Sequence, residues 1–73
     1  MELESWMANM IWLRKHHTLS KREMAKRLGI SVKTWNKIEK GQFPPQLGVN
    51  VICNVRKSFG IELNDQFVLW PEN

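Results

Sequence analysis

The chain has 73 residues, a single cysteine and a net charge of +4, and each of these properties excludes a class of protein. A chain of this length forms one domain, near the lower size limit for independent folding, and has no room for a catalytic cleft with a separate substrate domain. One cysteine cannot form an intrachain disulfide, so the fold must depend on its apolar core, which suits a reducing cytoplasm.

Targeting and membrane signals are also missing from the sequence. The longest uncharged run, residues 5–13, is far shorter than the ~20 apolar residues of a membrane span. The chain starts with Glu2 and Glu4 rather than with the basic leader of a signal peptide. We therefore expect no membrane contact and a cytoplasmic location.

Positive charge is concentrated in the middle of the chain. Between Arg14 and Lys40, nine lysines and arginines stand against two glutamates, a balance of +7, whereas the remaining two basic and five acidic residues give −3. A basic segment of this kind is the electrostatic footprint of a protein that contacts phosphates. A basic face that is only solvated and binds no phosphate would show the same charge balance.

The first predicted helix runs from a cap at Ser5 to about His16, and the chain before Ser5 is predicted to be irregular. Trp6, Met10 and Leu13 recur at the i, i+4 and i+7 spacing of one buried helix face. The helix ends on basic residues, which interact favourably with a helix C-terminus.

The stretch 19–41 predicts two short helices joined by a tight turn. Ser20 can cap the first helix, and Glu23 completes a capping box. Gly29 can adopt the left-handed conformation that ends a helix. Ser31 can cap the second helix, which Gly41 ends. The apolar positions of the two helices are Met24, Ala25, Leu28, Trp35 and Ile38.

The last third of the chain predicts two further helices. A loop with two prolines cannot continue a helix, and the fourth helix should run from about residues 48–50 to 58, with Gly60 as its end. A short last helix is expected at residues 65–70, capped by Asn64 and stopped by Pro71. The buried face of the fourth helix is Val51, Ile52, Val55 and Phe59. Without a strand pattern, the fold class is all-α, a compact bundle of four to five short helices in one domain, residues 1–73.

Three residues could indicate chemistry but do not form a site. His16 and His17 are sequence neighbours that point in different directions on a helix, and no cysteine or acidic ligand follows at zinc spacing. Cys53 lies between Ile52 and Asn54 in a helical pattern, which favours a small core or boundary residue over a reactive thiol. Neither a Ser-His-Asp arrangement, a glycine-rich phosphate loop nor paired acids are visible. We predict no metal, no cofactor and no enzymatic activity.

From residue 13 to residue 60 the chain resembles the Cro/phage-repressor type (Xre-like) helix-turn-helix family. The matching features are Leu13-Arg14, then L-S-x-x-E-M-A-x-x-L-G-I-S, then T-W-x-x-I-E-K-G and a proline-containing loop. The resemblance implies a lambda-repressor-like DNA-binding domain with its helix-turn-helix unit at residues 20–41. It also implies an ion pair between Arg14 and Glu39, which a separation above ~6 Å between the charged atoms would reject.

The resemblance further implies how DNA is contacted. The third helix, Val32 to Lys40, would lie in the major groove of double-stranded DNA. The expected base contacts are Ser31, Val32, Lys33, Asn36 and Lys37. The expected phosphate contacts are Lys21, Thr34, Lys40 and Gln42, with His17 and Lys15 at the edge. Lysines and a valine stand where the family usually has glutamines and small polar residues, so we expect a phosphate-driven, salt-sensitive affinity.

The implied function is sequence-specific DNA binding as a small transcriptional regulator, and we expect a repressor. The alternative is a protein-binding module or antitoxin that uses the same fold, with the apolar tail Phe67–Trp70 as partner or dimer surface. Burial of that tail against the first helix is the competing structural explanation. The resemblance also implies a homodimer, formed in solution or only on DNA. No small-molecule ligand is expected.

Overall fold

The computed structural model describes residues 2–45, 47–68 and 70, in which the backbone forms five helices and no strand. The all-α class and the number of helices are as predicted. None of the helices in these residues is long and apolar enough to cross a membrane. The helices are α1 (Glu2–His16), α2 (Lys21–Leu28), α3 (Val32–Glu39), α4 (Val49–Phe59) and α5 (Leu63–Gln66).

Helix α1 begins at Glu2, three residues before the predicted cap at Ser5. The prediction of an irregular start is therefore wrong. Leucine and glutamate are good helix formers, and acidic residues in a first turn interact favourably with the helix dipole, so the helix extends past the serine. The predicted apolar face is confirmed, because Trp6, Met10 and Leu13 are all buried.

The helix-turn-helix unit has the predicted caps. The Ser20 hydroxyl accepts the Glu23 N–H at 3.1 Å, and the Glu23 carboxylate accepts the Ser20 N–H at 2.9 Å. The Ser31 hydroxyl accepts the Thr34 N–H at 3.1 Å at the start of α3. These caps satisfy backbone N–H groups that the first turn of a helix leaves without partners.

Gly29 is required for two reasons at the end of α2. Its φ of +74° lies in the left-handed region, which costs a residue with a side chain about 1–2 kcal/mol. A Cβ at this position would also lie 2.7 Å from Nδ2 of Asn54. That nitrogen donates to the Leu28 carbonyl at 3.0 Å and so ties α4 to the end of α2.

The core lies between α1, α2, α3 and α4. Helix α2 packs against both α3 and α4, and α1 packs against α3. Trp35 and Ile38, the predicted inward positions of α3, are completely buried. Their burial fixes the rotation of α3 about its axis and leaves its other side at the surface. The buried apolar side chains are Trp6, Met7, Met10, Leu13, Met24, Ala25, Leu28, Trp35, Ile38, Val51 and Val55.

Helix α4 presents Val51 and Val55 to the core, while Ile52 and Phe59 are partly buried against it. Cys53 is exposed, which corrects the prediction of a core or boundary position. Two residues along a helix correspond to a rotation of about 200°. Cys53 therefore faces away from Val51, although its neighbour Ile52 is partly buried against the core.

The last helix lies earlier than predicted. Helix α5 spans Leu63–Gln66 with Glu62 as its N-cap residue, so Asn64 is inside the helix rather than at its cap. The cause is Gln66, whose side chain is completely buried and accepts the Trp6 indole N–H at 3.1 Å. Its amide also donates to the carbonyls of Ile52 and Ile61. The predicted stop at Pro71 lies outside the described residues.

The segment after α5 is held on α1 by Asn9, which is buried. The Asn9 amide donates to the carbonyls of Gln66 at 2.8 Å and Val68 at 2.7 Å, and its oxygen accepts the Trp70 N–H at 3.2 Å. The Trp70 ring also meets the Trp12 ring edge-on at 5.6 Å. In the predicted tail surface, Trp70 therefore packs on the first helix, Val68 is exposed, and residue 69 lies outside the described residues.

Candidate nucleic-acid interface

The exposed side of α3 carries the five residues expected to contact bases. Ser31, Val32 and Lys33 are exposed at its start, and Asn36 and Lys37 are half-buried one turn later. Positions 32, 33, 36 and 37 share one side of the helix because residues four apart lie one above the other. The structure therefore brings these predicted residues together on one surface, which we call the α3 face.

Within the described part of the chain, three lysines of this region form no ion pair with a carboxylate. They are Lys33, Lys37 and Lys40. Lys33 and Lys40 are exposed, and Lys37 is half-buried. Because none of the described carboxylates neutralises them, their charges are available to an external anion such as a DNA phosphate.

The side chains of Ser31 and Thr34 are hydrogen-bonded to each other. The Ser31 hydroxyl donates to the Thr34 hydroxyl at 3.0 Å while it accepts the Thr34 N–H. Thr34 is only 8% exposed, which does not fit the phosphate contact expected for it. It lies on the buried side of α3 because it is adjacent to Trp35 and four residues before Ile38. The serine retains acceptor capacity at the surface.

Asn36 presents its amide group only in part. Its Oδ1 atom is buried and has no hydrogen-bond partner among the described residues. A bidentate contact to adenine uses both the oxygen and the nitrogen of the amide. The side chain must therefore rotate before it can pair with adenine in this way.

The expected ion pair between Arg14 and Glu39 is present. Arg14 Nε lies 2.9 Å from Glu39 Oε2, and the same guanidinium donates to the Leu19 carbonyl at 3.1 Å. A second cation, Lys21, places its Nζ 3.3 Å from Glu39 Oε1. The sequence did not predict this contact, since Lys21 and Glu39 are separated by a helix and a turn and match no local pairing rule.

The Glu39 carboxylate stays ionised because its surroundings lower its pKa. Partial burial acts in the opposite direction and raises the pKa. That effect is outweighed by the Trp35 indole N–H, by the hydrogen bond from Lys21 and by the positive charges of Arg14 and Lys21. The indole makes no hydrogen bond of good geometry, but its N–H dipole still favours the anion. Glu39 is thus a fixed negative charge at neutral pH.

A shallow concavity lies beside this ion pair and is lined by Lys21, Asn36, Glu39 and Lys40. It connects the start of α2 with the end of α3. Gln42, another expected phosphate contact, is exposed just after α3. Lys21, Lys40 and Gln42 therefore flank the α3 face, as positions for a DNA backbone should.

The histidines at the end of α1 take part in aromatic contacts. The His16 ring stacks on Trp12 at 4.4 Å, and the His17 ring lies 5.2 Å from the Phe59 ring. Lys15 and His17 are exposed, and their contact with the edge of a DNA site stays a prediction. In residues 2–45, 47–68 and 70, no group of three His, Cys, Asp or Glu side chains could hold a metal ion.

Comparison with known proteins gives two matches. A helix-turn-helix family model matches residues 10–49, which include all of α2 and α3. The chain is also 35% identical over 57 residues to an uncharacterised HTH-type transcriptional regulator of Methanocaldococcus jannaschii, and the alignment covers 78% of this chain and 83% of that protein. No solved structure matches the chain.

Proposed function

Because the chain belongs to the Cro/C1-type helix-turn-helix family of DNA-binding transcriptional regulators, we propose that it binds double-stranded DNA sequence-specifically and represses transcription. The observation that carries this proposal is the α3 face. Trp35 and Ile38 fix α3 in the core, so Val32, Lys33 and Lys37 project from a rigid support. A preorganised support of this kind is what a binding site needs.

The dimensions of α3 suit the major groove. A helix with its side chains is about 10–12 Å in diameter, and the major groove is about 12 Å wide and admits a helix. With the start of α3 in the groove, Lys33 can donate to O6 and N7 of guanine, and Val32 can contact a thymine methyl group. Lys37 and Asn36 lie one turn further along the same side and complete the proposed reading surface.

Phosphate contacts are proposed to supply most of the affinity. Lys21, Lys40 and Gln42 flank the α3 face, and Thr34 is the weakest candidate because of its burial. Each phosphate that a lysine neutralises adds about 0.9 to the slope of log K against log salt. Affinity should therefore fall steeply as the salt concentration rises.

Repression requires fewer functional surfaces on the protein than activation does. A repressor acts by occupying a site that overlaps a promoter, so a DNA-docking face is sufficient. An activator needs a second surface that contacts the transcription machinery. The proposed DNA partner and the reducing conditions suited to the lone Cys53 support a cytoplasmic location as part of this proposal.

A homodimer on DNA is proposed from an exposed apolar surface away from α3. Val49, Leu63 and Val68 are 73%, 52% and 60% exposed. Val49 and Leu63 line a cleft between α4 and α5, and Leu63 and Val68 line a second cleft beside α5. A stable interface buries about 800 Å² per partner, roughly one sixth of the 4995 Å² surface of the chain. Three side chains supply only a fraction of that area, so we propose that two copies pair only on DNA.

The same apolar surface is the observation that favours a protein partner of another kind, as in an antitoxin or adaptor. Replacement of Val68, which is 60% exposed on this surface, by serine separates the two functions on a duplex with a single half-site. A partner-binding protein would lose its partner and keep its affinity for DNA. For the DNA-binding regulator, affinity should depend on the α3 face and not on Val68.

The proposed function is tested by selection of bound sequences from a random duplex pool, followed by a salt titration on the selected sequence. Lys33→Ala and Lys37→Ala should weaken binding while the fold is retained. Lys57→Ala is the matched control, since Lys57 is an exposed lysine on α4 and its loss should leave binding nearly unchanged. If the wild-type chain binds no duplex at low salt, or if all three variants weaken binding equally, the proposal is wrong.

A further inference from the structure

The contact between Lys21 and Glu39 lies at the edge of the α3 face. We infer that Glu39 is a positioning residue for DNA binding, whose carboxylate holds the Lys21 ammonium in place to receive a backbone phosphate. The inference rests on the proposed function and adds a residue that does not itself touch DNA.

Glu39 is placed to act as a fixed anchor. Each of its oxygens has one cationic partner, Arg14 Nε at 2.9 Å from Oε2 and Lys21 Nζ at 3.3 Å from Oε1. Its side chain is 18% exposed, whereas that of Lys21 is 52% exposed. Arg14 is itself held by the Leu19 carbonyl. The anchored carboxylate therefore fixes a lysine whose ammonium still reaches solvent.

The contact leaves Lys21 able to bind phosphate. An ammonium group carries three N–H donors, and Glu39 occupies one of them. The charge of Arg14 offsets the charge of Glu39, so the three side chains together remain positive by one. A lysine that is free in solution loses side-chain entropy when it is ordered on a phosphate. A lysine already held by a carboxylate loses less.

The position of the held ammonium agrees with this role. Lys21 and Lys40 line the same concavity, together with Asn36 and Glu39. Lys40 forms no ion pair with a described carboxylate. A phosphate that enters the concavity would meet two ammonium groups, one oriented by Glu39 and one free.

Positioning and simple electrostatics predict opposite results for one substitution. Glu39→Gln removes a negative charge from the basic region, and by charge alone it should tighten binding to DNA. Positioning predicts weaker binding, because Lys21 loses its anchor. Glu23→Gln is the matched control. It removes the same charge from α2, and glutamine can also complete a capping box, so it should bind DNA as tightly as wild type or more tightly.

The test is a double-mutant cycle with Lys21→Ala and Glu39→Gln, measured on a fluorescent duplex of mixed sequence, about 20 base pairs long and so two helical turns. Glu39→Gln should weaken binding about two- to fivefold, the range of an exposed ion pair, and should lower the salt slope by up to about 0.9. In the Lys21→Ala background the same substitution should no longer weaken binding.

Three outcomes overturn the inference. Glu39→Gln could bind duplex as tightly as wild type or more tightly, which indicates that Glu39 competes with phosphate. It could lose affinity equally with and without Lys21, which indicates a structural role through Arg14. Glu39→Asp covers the case in which the glutamine variant does not fold. It keeps the charge but withdraws the carboxylate by one methylene, so equal binding by the aspartate variant would also contradict positioning.

Failure of this inference can be distinguished from failure of the proposed function. If the wild-type chain binds no duplex at low salt, the proposed function is wrong. If it binds and the cycle shows no coupling between Lys21 and Glu39, only the positioning role is wrong.

Discussion

Replacement of Asn9 by alanine should lower the stability of this fold without changing the affinity of the folded protein for DNA. The Asn9 amide makes three hydrogen bonds to the C-terminal segment, with distances of 2.8, 2.7 and 3.2 Å. A hydrogen bond contributes about 1 kcal/mol net, and a buried group left without a partner costs about 1–3 kcal/mol. Since the Gln66 residue is completely buried, Asn9→Ala should lower the free energy of unfolding by about 2–4 kcal/mol.

That loss is large for so small a chain. At about 0.05–0.15 kcal/mol per residue, 73 residues have a total stability of about 4–11 kcal/mol. The measurement is urea unfolding followed by tryptophan fluorescence. Asn50→Ala is the control, because Asn50 is an exposed residue in the first turn of α4 and should change stability by less than about 0.5 kcal/mol.

The consequence for binding completes the prediction. Asn9 lies on α1 and contacts the C-terminal segment rather than α3, so the folded fraction of Asn9→Ala should bind duplex DNA with wild-type affinity. If Asn9→Ala unfolds at the same urea concentration as the Asn50 control, the hydrogen bonds between Asn9 and the C-terminal segment do not stabilise the fold and the reasoning is refuted.

Two further predictions concern the helix-turn-helix unit. The pKa of Glu39 is lowered in the folded protein, so its stabilising contribution should be complete above the ordinary pKa of 4.5 and lost as the pH falls through the folded value. Denaturation of Glu39→Gln across this range should show a smaller pH dependence than wild type, and an equal dependence would argue against the contribution. Gly29→Ala should destabilise by at least about 1–2 kcal/mol, because of the positive φ and the close approach of Asn54. Thermal unfolding at the wild-type temperature would contradict that account.

The parts of the fold that the sequence predicted are those with local causes. Ser20 and Ser31 cap helices because each hydroxyl reaches an N–H three residues away. Gly29 ends α2 because its backbone adopts the left-handed conformation, and this requires no contact with a distant residue. The inward faces of α1 and α3 follow from helical periodicity. These features involve neighbours along the chain, so the sequence pattern is sufficient to predict them.

The features that sequence reasoning missed depend on distant residues. The position of α5 differs from the prediction because Gln66 hydrogen-bonds to Trp6, 60 residues away in the sequence. Asn9 likewise binds the C-terminal segment over a similar separation. Polar residues usually indicate surface, so no pattern marked either as buried. Lys21 was predicted to contact a DNA phosphate, but its ion pair with Glu39 was not predicted, because that contact requires the packing of α2 on α3.

The central claim is that the start of α3 docks on duplex DNA. The most direct test is a titration of ¹⁵N-labelled protein with a duplex that carries one half-site of the selected sequence, and so holds a single copy, followed by two-dimensional NMR. The account predicts that the largest shift changes occur at residues 31–37 and at Lys21, with little change at residues 62–68. Large changes at residues 62–68 with an unchanged α3 would contradict it and would indicate that the chain binds its partner through the exposed apolar surface of Val49, Leu63 and Val68.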